Sequence, residues 1–418
     1  MKHSSKPRHL SREVDGVRVH FREAGVRSST AVLLLHGFPA SSHSFRDVMP
    51  VLADHAYVVA PDLPGFGFSD ALPPEEYSFE RLTDVTEALV ASLGIERYVL
   101  YVTDFGTPVG YSLAMRDPGR VLGLVVQNGN AHDAGLNDAW DTARRFWADP
   151  TPENRAALPD WLTFEGTRDQ YLAGSPPSVQ ELHPPESWHL DWERLSRPGM
   201  TELQFRLFTD YRSHVARFPA IAAYHRRHQP SCLVLWGRFD TFFDLREVLA
   251  YHEVMETLAV HVYDAGHFLL ETHGSEVAAL LAAFVDDALE RAGSAARRAA
   301  GSAGTDAPDA PAQVWGEPRP LTDAERAQEP AVYATPTRPM TQDELDRICR
   351  VWADSGSDDP TDRWLELWDG GDADDHPEQR DAIVAIAREV GLEVAVEDGV
   401  LRVQKTQQLH DEIGARWI

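Results

Sequence analysis

Tyr98-Val99-Leu100-Tyr101-Val102-Thr103-Asp104-Phe105-Gly106-Thr107-Pro108-Val109-Gly110 is the stretch from which the rest of this chain can be read. It opens with aromatic, aliphatic and β-branched residues, the composition of a strand buried on both faces. It then passes at once into the glycine, threonine and proline that open a helix. Such a strand-to-helix elbow leaves Asp104 at the apex, with the positive end of the helix dipole beside its carboxylate. The geometry predicts a strained backbone at Asp104 and an ionised, reachable side chain. A carboxylate needs no base to become a nucleophile, so it suits attack on saturated or strained carbon and would leave an ester on the enzyme. Taken alone, Asp104 is equally well read as an N-cap for the helix starting at Thr107 or Pro108. Three further motifs, in order along the chain, favour the nucleophile.

Upstream, Val17–Glu23 alternates apolar and polar residues as an early antiparallel strand. Thr30–Leu35 is a continuous apolar run that ends in His36-Gly37-Phe38-Pro39. Gly37 lets the backbone approach a ligand closely, and the N–H of Phe38 can join that of Phe105 as an oxyanion hole. His36 is expected to tie the loop down. Tyr57–Pro61 is a further buried strand, with Asp62 ordering the glycine- and proline-rich loop after it. Ser78–Leu93 has helical periodicity and stops at Gly94.

Downstream, Val121–Gln127 is again apolar. Strands alternating with helices across short loops specify an α/β fold with a mostly parallel sheet covered on both faces. Between Ala131 and His228 the chain turns rich in tryptophan, proline and charge, which predicts an aromatic helical lid inserted before the last strands. The sheet resumes at Ser231–Gly237, followed by Asp240, and Val260–Tyr263 leads to Asp264-Ala265-Gly266-His267-Phe268. Asp240 and His267 each follow a strand's C-terminal end, where catalytic groups of open α/β sheets collect. His267 is the candidate base and Asp240 its orienting partner, with Asp264 a less suitable alternative only three residues before the histidine. Glu276–Leu289, capped by Ser275, is expected to close the domain.

The 418 residues are 43% hydrophobic, enough for two to three domains with a substantial core. A formal charge of -27 disfavours nucleic acid or an anionic membrane as partner. The basic N-terminus has no apolar run of signal-peptide length after it, so the chain reads as cytoplasmic. Cys232 and Cys349 form neither a disulfide framework nor a zinc spacing. The expected organisation is core 1–130, lid 131–228, core 229–291, a flexible Ala/Gly/Pro/Ser linker 292–337 and a small α+β C-terminal domain 338–418. In that last part Thr341–Glu344 is a capping box, Pro377–Val390 a helix, and Leu392–Gln404 a hairpin turning at Asp398-Gly399. The acidic run Asp358–Asp375 reads as a solvated loop. An interaction or oligomerisation role is expected of this domain.

Together, His36-Gly37-Phe38-Pro39, the Asp104 elbow, Asp240 after Trp236-Gly237, and Gly266-His267-Phe268 resemble the epoxide hydrolase and haloalkane dehalogenase branch of the α/β-hydrolase superfamily. The resemblance covers roughly Arg12–Arg291 and reproduces the order nucleophile, cap, acid, histidine. It implies the α/β-hydrolase fold, a small apolar organic substrate, water, and no metal or organic cofactor. Haloalkane dehalogenases usually carry a tryptophan after the nucleophile and often an asparagine in the loop; here Phe105 and Phe38 stand in those places. Epoxide hydrolases use lid tyrosines to support the opening ring oxygen. Thr209-Asp210-Tyr211-Arg212 is similar to their late-lid motif and offers Tyr211, with Tyr171 as a possible second donor. Trp147 with Tyr211 would equally suit a halide. The leading expectation is therefore an epoxide hydrolase giving a vicinal diol, with carbon–halogen hydrolysis second and a non-catalytic binding protein third.

Overall fold

The computed structural model describes residues 6–302 and, beyond them, 340–341, 348, 364–367, 383–388, 392, 394–397 and 400–404. The chain divides into two compact units, Met1–Asp306 and Ala307–Ile418. In the first, β1 (Arg8–Val14), β2 (Val17–Ala24), β3 (Thr30–Leu35), β4 (Tyr57–Pro61), β5 (Arg97–Thr103), β6 (Val121–Gln127), β7 (Cys232–Gly237) and β8 (Leu258–Tyr263) form one sheet. Their order is β1-β2-β4-β3-β5-β6-β7-β8. The strands from β4 to β8 in that order are parallel, and β1 and β2 form an antiparallel edge. Strand β1 is not announced by the sequence pattern. It lies at the edge and buries only its last residue, Val14, so its composition carries little apolar signal.

Tyr98 to Val102 are buried and β5 is central, as a strand covered on both faces requires. The preceding helix, Phe79–Ser92, starts where the Ser78 side chain accepts the Arg81 N–H, and Gly94 follows its end at φ 73°. Register then decides where the loops gather. Leu35 pairs Val102, Thr103 pairs Gln127, Gln127 pairs Leu235 and Gly237 pairs Tyr263, so β3, β5, β6, β7 and β8 end at one edge. Everything that follows those strands by one to four residues is brought to a single place.

Between β6 and β7 the chain is helical, with Asp141–Ala148, Pro152–Ala156, Phe164–Leu172, Pro185–Leu195, Met200–Val215 and Phe218–His228 as its main helices. The closing helix begins earlier and ends later than its expected span of Glu276–Leu289. It runs Leu269–Ser302 with a non-helical residue at His273. Its extension enters the stretch expected as linker from 292, where alanines and arginines at 295–300 are strong helix formers that outweigh the scattered Gly and Ser. The remainder of that linker, 303–337, lies outside the described residues, as do Gln342–Glu344 of the expected capping box.

In the second unit, β9 (Trp364–Leu367), β10 (Val394–Glu397) and β11 (Val400–Gln404) form an antiparallel sheet in the order β10-β11-β9. Glu397 pairs Val400, the register of the expected hairpin. Strand β9 corrects the reading of Asp358–Asp375 as loop: Trp364-Leu365-Glu366-Leu367 is an apolar island within the acidic run and pairs with β11. Residues 383–388 are helical. Among the described residues no helix is long and apolar enough to cross a membrane.

Candidate active site

Asp104 stands at φ 46° between β5 and the helix Gly106–Arg116, a left-handed conformation that non-glycine residues rarely hold. Two glycines make room for it. A Cβ on Gly37 would lie 2.3 Å from the Asp104 side chain, and one on Gly106 would lie 2.3 Å from the Leu35 carbonyl. The Phe38 N–H donates to Asp104 Oδ1 at 2.5 Å, and the Phe105 N–H faces the same carboxylate. His36 fixes this loop: its ring hydrogen-bonds the Gly37 carbonyl at 2.9 Å and accepts the Leu63 N–H at 2.9 Å. Asp62 orders the next loop by accepting the N–H groups of Ser42 and Phe68.

His267 Nδ1 meets Asp240 Oδ2 at 2.8 Å, and its Nε2 lies 3.9 Å from Asp104 Oδ2. All three side chains are nearly or wholly buried. Asp240 is held on its other oxygen by the N–H groups of Phe242 and Phe243, at 2.7 and 3.2 Å. Asp264, the alternative partner, instead pairs with Arg238 at the surface. Burial pulls the His267 pKa down, but the charges of Asp240 and Asp104 outweigh it, so the imidazole titrates above its ordinary value. For Asp104, burial dominates and raises the carboxyl pKa, against the opposing pull of His267 and the Phe38 and Phe105 N–H groups. The elbow's helix dipole alone suggests an easily ionised carboxylate; the structure adds a desolvation that works against it.

Tyr211, on Met200–Val215, is buried with its ring 5.7 Å from that of Phe105 and stacked at 5.2 Å on Trp140. Its hydroxyl has no hydrogen-bond partner among the described residues; it faces the Asn130 carboxamide without meeting hydrogen-bond geometry. Trp147 lies 6.3 Å from Tyr211, ring to ring, and its indole N–H is likewise buried and unpartnered among the described residues. Phe38, Trp161 and Phe208 extend the same aromatic wall. Tyr171 is not brought to this point: its hydroxyl donates to Asp191 and its ring stacks on Phe268 at 4.0 Å, so its proton is committed within the insertion. A cavity of about 20 Å³ touches both Asp104 and His267, with Thr103, Ser44, Gln127 and Glu271 also on its wall, room for one water.

Asn128 went unnoticed in the sequence. At φ 37° just past β6, it donates to Asp240 Oδ2 at 2.8 Å and clasps Gly237 through both atoms of its amide. Its signal is positional: an asparagine directly after the strand beside the elbow, where this residue tolerates the left-handed backbone the turn demands. The Arg46–Glu271 ion pair, at 2.6 Å, also receives the Ser187 hydroxyl at 2.8 Å and so fastens the helix Pro185–Leu195 to the core. Among the described residues no group of three or more His, Cys, Asp or Glu side chains is placed to hold a metal ion.

The model of the alpha/beta hydrolase fold matches residues 30–274, more than half of the chain. An uncharacterized hydrolase of Saccharomyces cerevisiae is 39% identical over 264 residues, 62% of this chain and 90% of the relative. Epoxide hydrolase 3 of Mus musculus is 27% identical over 66% of this chain and 75% of its own length. The crystal structure of a haloalkane dehalogenase from Bradyrhizobium elkani superposes with a TM-score of 0.56 at 25% identity, covering 68% of this chain and 99% of that one. With its eight-stranded, mostly parallel sheet and helices on both sides, the chain belongs to the α/β-hydrolase family of enzymes and is similar to an epoxide hydrolase.

Proposed function

We propose that this enzyme opens small apolar epoxides through a covalent ester on Asp104 and releases a vicinal diol. The observation that carries this reading is the single line of groups from Asp240 through His267 to Asp104, ending on the Phe38 N–H. In the first half, Asp104 Oδ2 forms a bond to an epoxide carbon as the carbon–oxygen bond breaks, and the electron pair left on oxygen takes the proton of Tyr211. In the second, His267 removes a proton from water, and the hydroxide adds to Asp104 Cγ while the Phe38 and Phe105 N–H groups hold the oxyanion. The intermediate expels the diol oxygen, which takes the proton back from His267. Asp104 is left as a carboxylic acid whose proton restores Tyr211. Asp240 and Asn128 keep the imidazole aimed throughout. The helices of 131–228 act as the lid over this chemistry.

Carbon–halogen hydrolysis is the second reading, favoured by one observation: the Trp147 indole N–H is buried and unpartnered beside Tyr211. A departing halide needs such donors and no proton.

Intact-mass measurement on His267→Gln separates the two, because the ester cannot be hydrolysed without its base. A gain equal to the whole epoxide on Asp104 is the expected result. A gain equal to an alkyl group without its halogen moves the assignment to dehalogenase, and no adduct from a set of epoxides or a set of haloalkanes on folded protein overturns both.

A further inference from the structure

Asn130 lies two residues beyond Asn128, and none of its side-chain exposure remains. Both atoms of its carboxamide lack a partner among the described residues, although a buried polar group left unpaired is costly. The residue is nonetheless rigidly placed. Its carbonyl accepts His214 Nε2 at 2.7 Å, and His214 sits on the same helix as Tyr211. Opposite its amide is Glu247, fully buried, with Oε1 accepting the Ala131 N–H at 2.7 Å and meeting His132 Nδ1 at 2.9 Å. Glu247 Oε2 is unpartnered among the described residues. A Cβ on Gly135 would lie 2.3 Å from Asn130 Oδ1 and 2.4 Å from Glu247 Oε2, so the glycine is what lets the two side chains approach.

We propose that the Asn130 carboxamide is the second donor to the departing atom, paired with the Tyr211 hydroxyl, and that Glu247 behind it fixes which end of the amide faces the site. This rests on the reading that Asp104 displaces that atom. Burial pushes the Glu247 carboxyl up, against the opposing pull of His132. In its protonated form Glu247 can donate its O–H to Asn130 Oδ1, which leaves Nδ2 free beside the Tyr211 hydroxyl to donate to the departing atom. One donor then supplies the proton and the other a hydrogen bond. The oxygen of a small epoxide is met by a tyrosine and an amide, an arrangement that leaves Tyr171 free to serve Asp191.

The donor acts only while the leaving atom departs, so its loss has a signature confined to one step. Ester formation from styrene oxide is read by quenched-flow and intact mass on His267→Gln, with and without Asn130→Leu. Ester hydrolysis is read by single-turnover chase with His267 intact. Asn130→Leu should slow formation by at least about 10²-fold and leave hydrolysis unchanged. Equal slowing of both steps, as a purely structural role would give, or no slowing of either, overturns the proposal. Should the leucine variant not fold, Asn130→Ser, whose hydroxyl is too short to reach, carries the same test. If His267→Gln with native Asn130 gives no adduct, the reading of Asp104 as nucleophile fails and this proposal with it. If the adduct forms and Asn130 substitution leaves its rate unaltered, only this proposal fails.

Discussion

Asn128 and His267 share one oxygen: Asp240 Oδ2 accepts the Asn128 amide at 2.8 Å and faces His267 Nδ1 at 2.8 Å. The asparagine therefore fixes the angle at which the acid meets the imidazole. Asn128→Ala removes a hydrogen bond to a charged group, worth about 1.5–3 kcal/mol. Turnover should fall by roughly 10–100-fold through the ester-hydrolysis step. Rapid-quench rates would show it; loss of ester formation alone would contradict it.

Two raised pKa values enter the proposed mechanism. His267 must be neutral to take a proton from water, and its pKa lies above 6.5, so ester hydrolysis should fall as pH drops through that raised value. Asp104 must be ionised to attack, and its pKa lies above 3.8. Single-turnover profiles should show an acid limb for each step, displaced upward from the ordinary carboxyl value for ester formation and from the ordinary imidazole value for hydrolysis. Asp240→Asn should move the hydrolysis limb downward, since the Asp240 charge is the main force raising His267.

Asp62 carries a prediction about stability. Burial raises its pKa, yet the His20, Ser42 and Phe68 hydrogen bonds and the His36 ring prevail and bring it from 3.8 down to about 2. A depressed carboxyl stabilises the fold fully above pH 3.8 and loses that contribution as pH falls toward 2. At neutral pH the contribution is about 2 kcal/mol, so Asp62→Asn should lower the denaturation midpoint there and flatten its dependence between these two pH values.

Gly37→Ala places a methyl group 2.3 Å from Asp104 Oδ1, where neither the carboxylate nor the loop can yield without losing the Phe38 N–H contact. Ester formation should drop by about 10²-fold or more, the scale of a lost oxyanion-hole donor. A crystal structure of the variant should show Asp104 displaced; near-native ester formation would refute the reading of the elbow.

The core was legible because each buried strand is an uninterrupted apolar run and each site residue follows such a run closely. Asp104, Asp240 and His267 could be found that way, and parallel register did the rest. Asn128 escaped because an amide carries no charge and its contact with Asp240 depends on which strand lies beside which. Tyr171 could not be set aside by type; the Asp191 carboxylate, twenty residues on and hydrogen-bonded to it, takes up its proton. Strand β1 and the length of the closing helix were hidden for the opposite reason, since weak local signals there are settled by pairing and by alanine propensity.

The helical insertion is fastened unevenly. His214 to Asn130, Asp210 to Phe79, Gln204 to Tyr77, Arg217 to Ser112 and Ser187 to Glu271 stitch its later part to the sheet domain. Among the described residues no hydrogen bond or ion pair joins 141–168 to that domain, and Trp161 meets Phe38 there by ring contact alone. Parting a ring pair forfeits about 0.5–1.5 kcal/mol beyond its buried area, whereas stranding a buried donor or acceptor costs about 1–3 kcal/mol for each group. On the proposed reading of 131–228 as a lid, the early segment is expected to part from the sheet domain before the later one, which faster amide exchange in 141–168 than in 200–215 would show. On the same reading that would leave admission to the segment of Trp147 and Trp161 and chemistry to the helix of Tyr211, two properties then free to evolve separately.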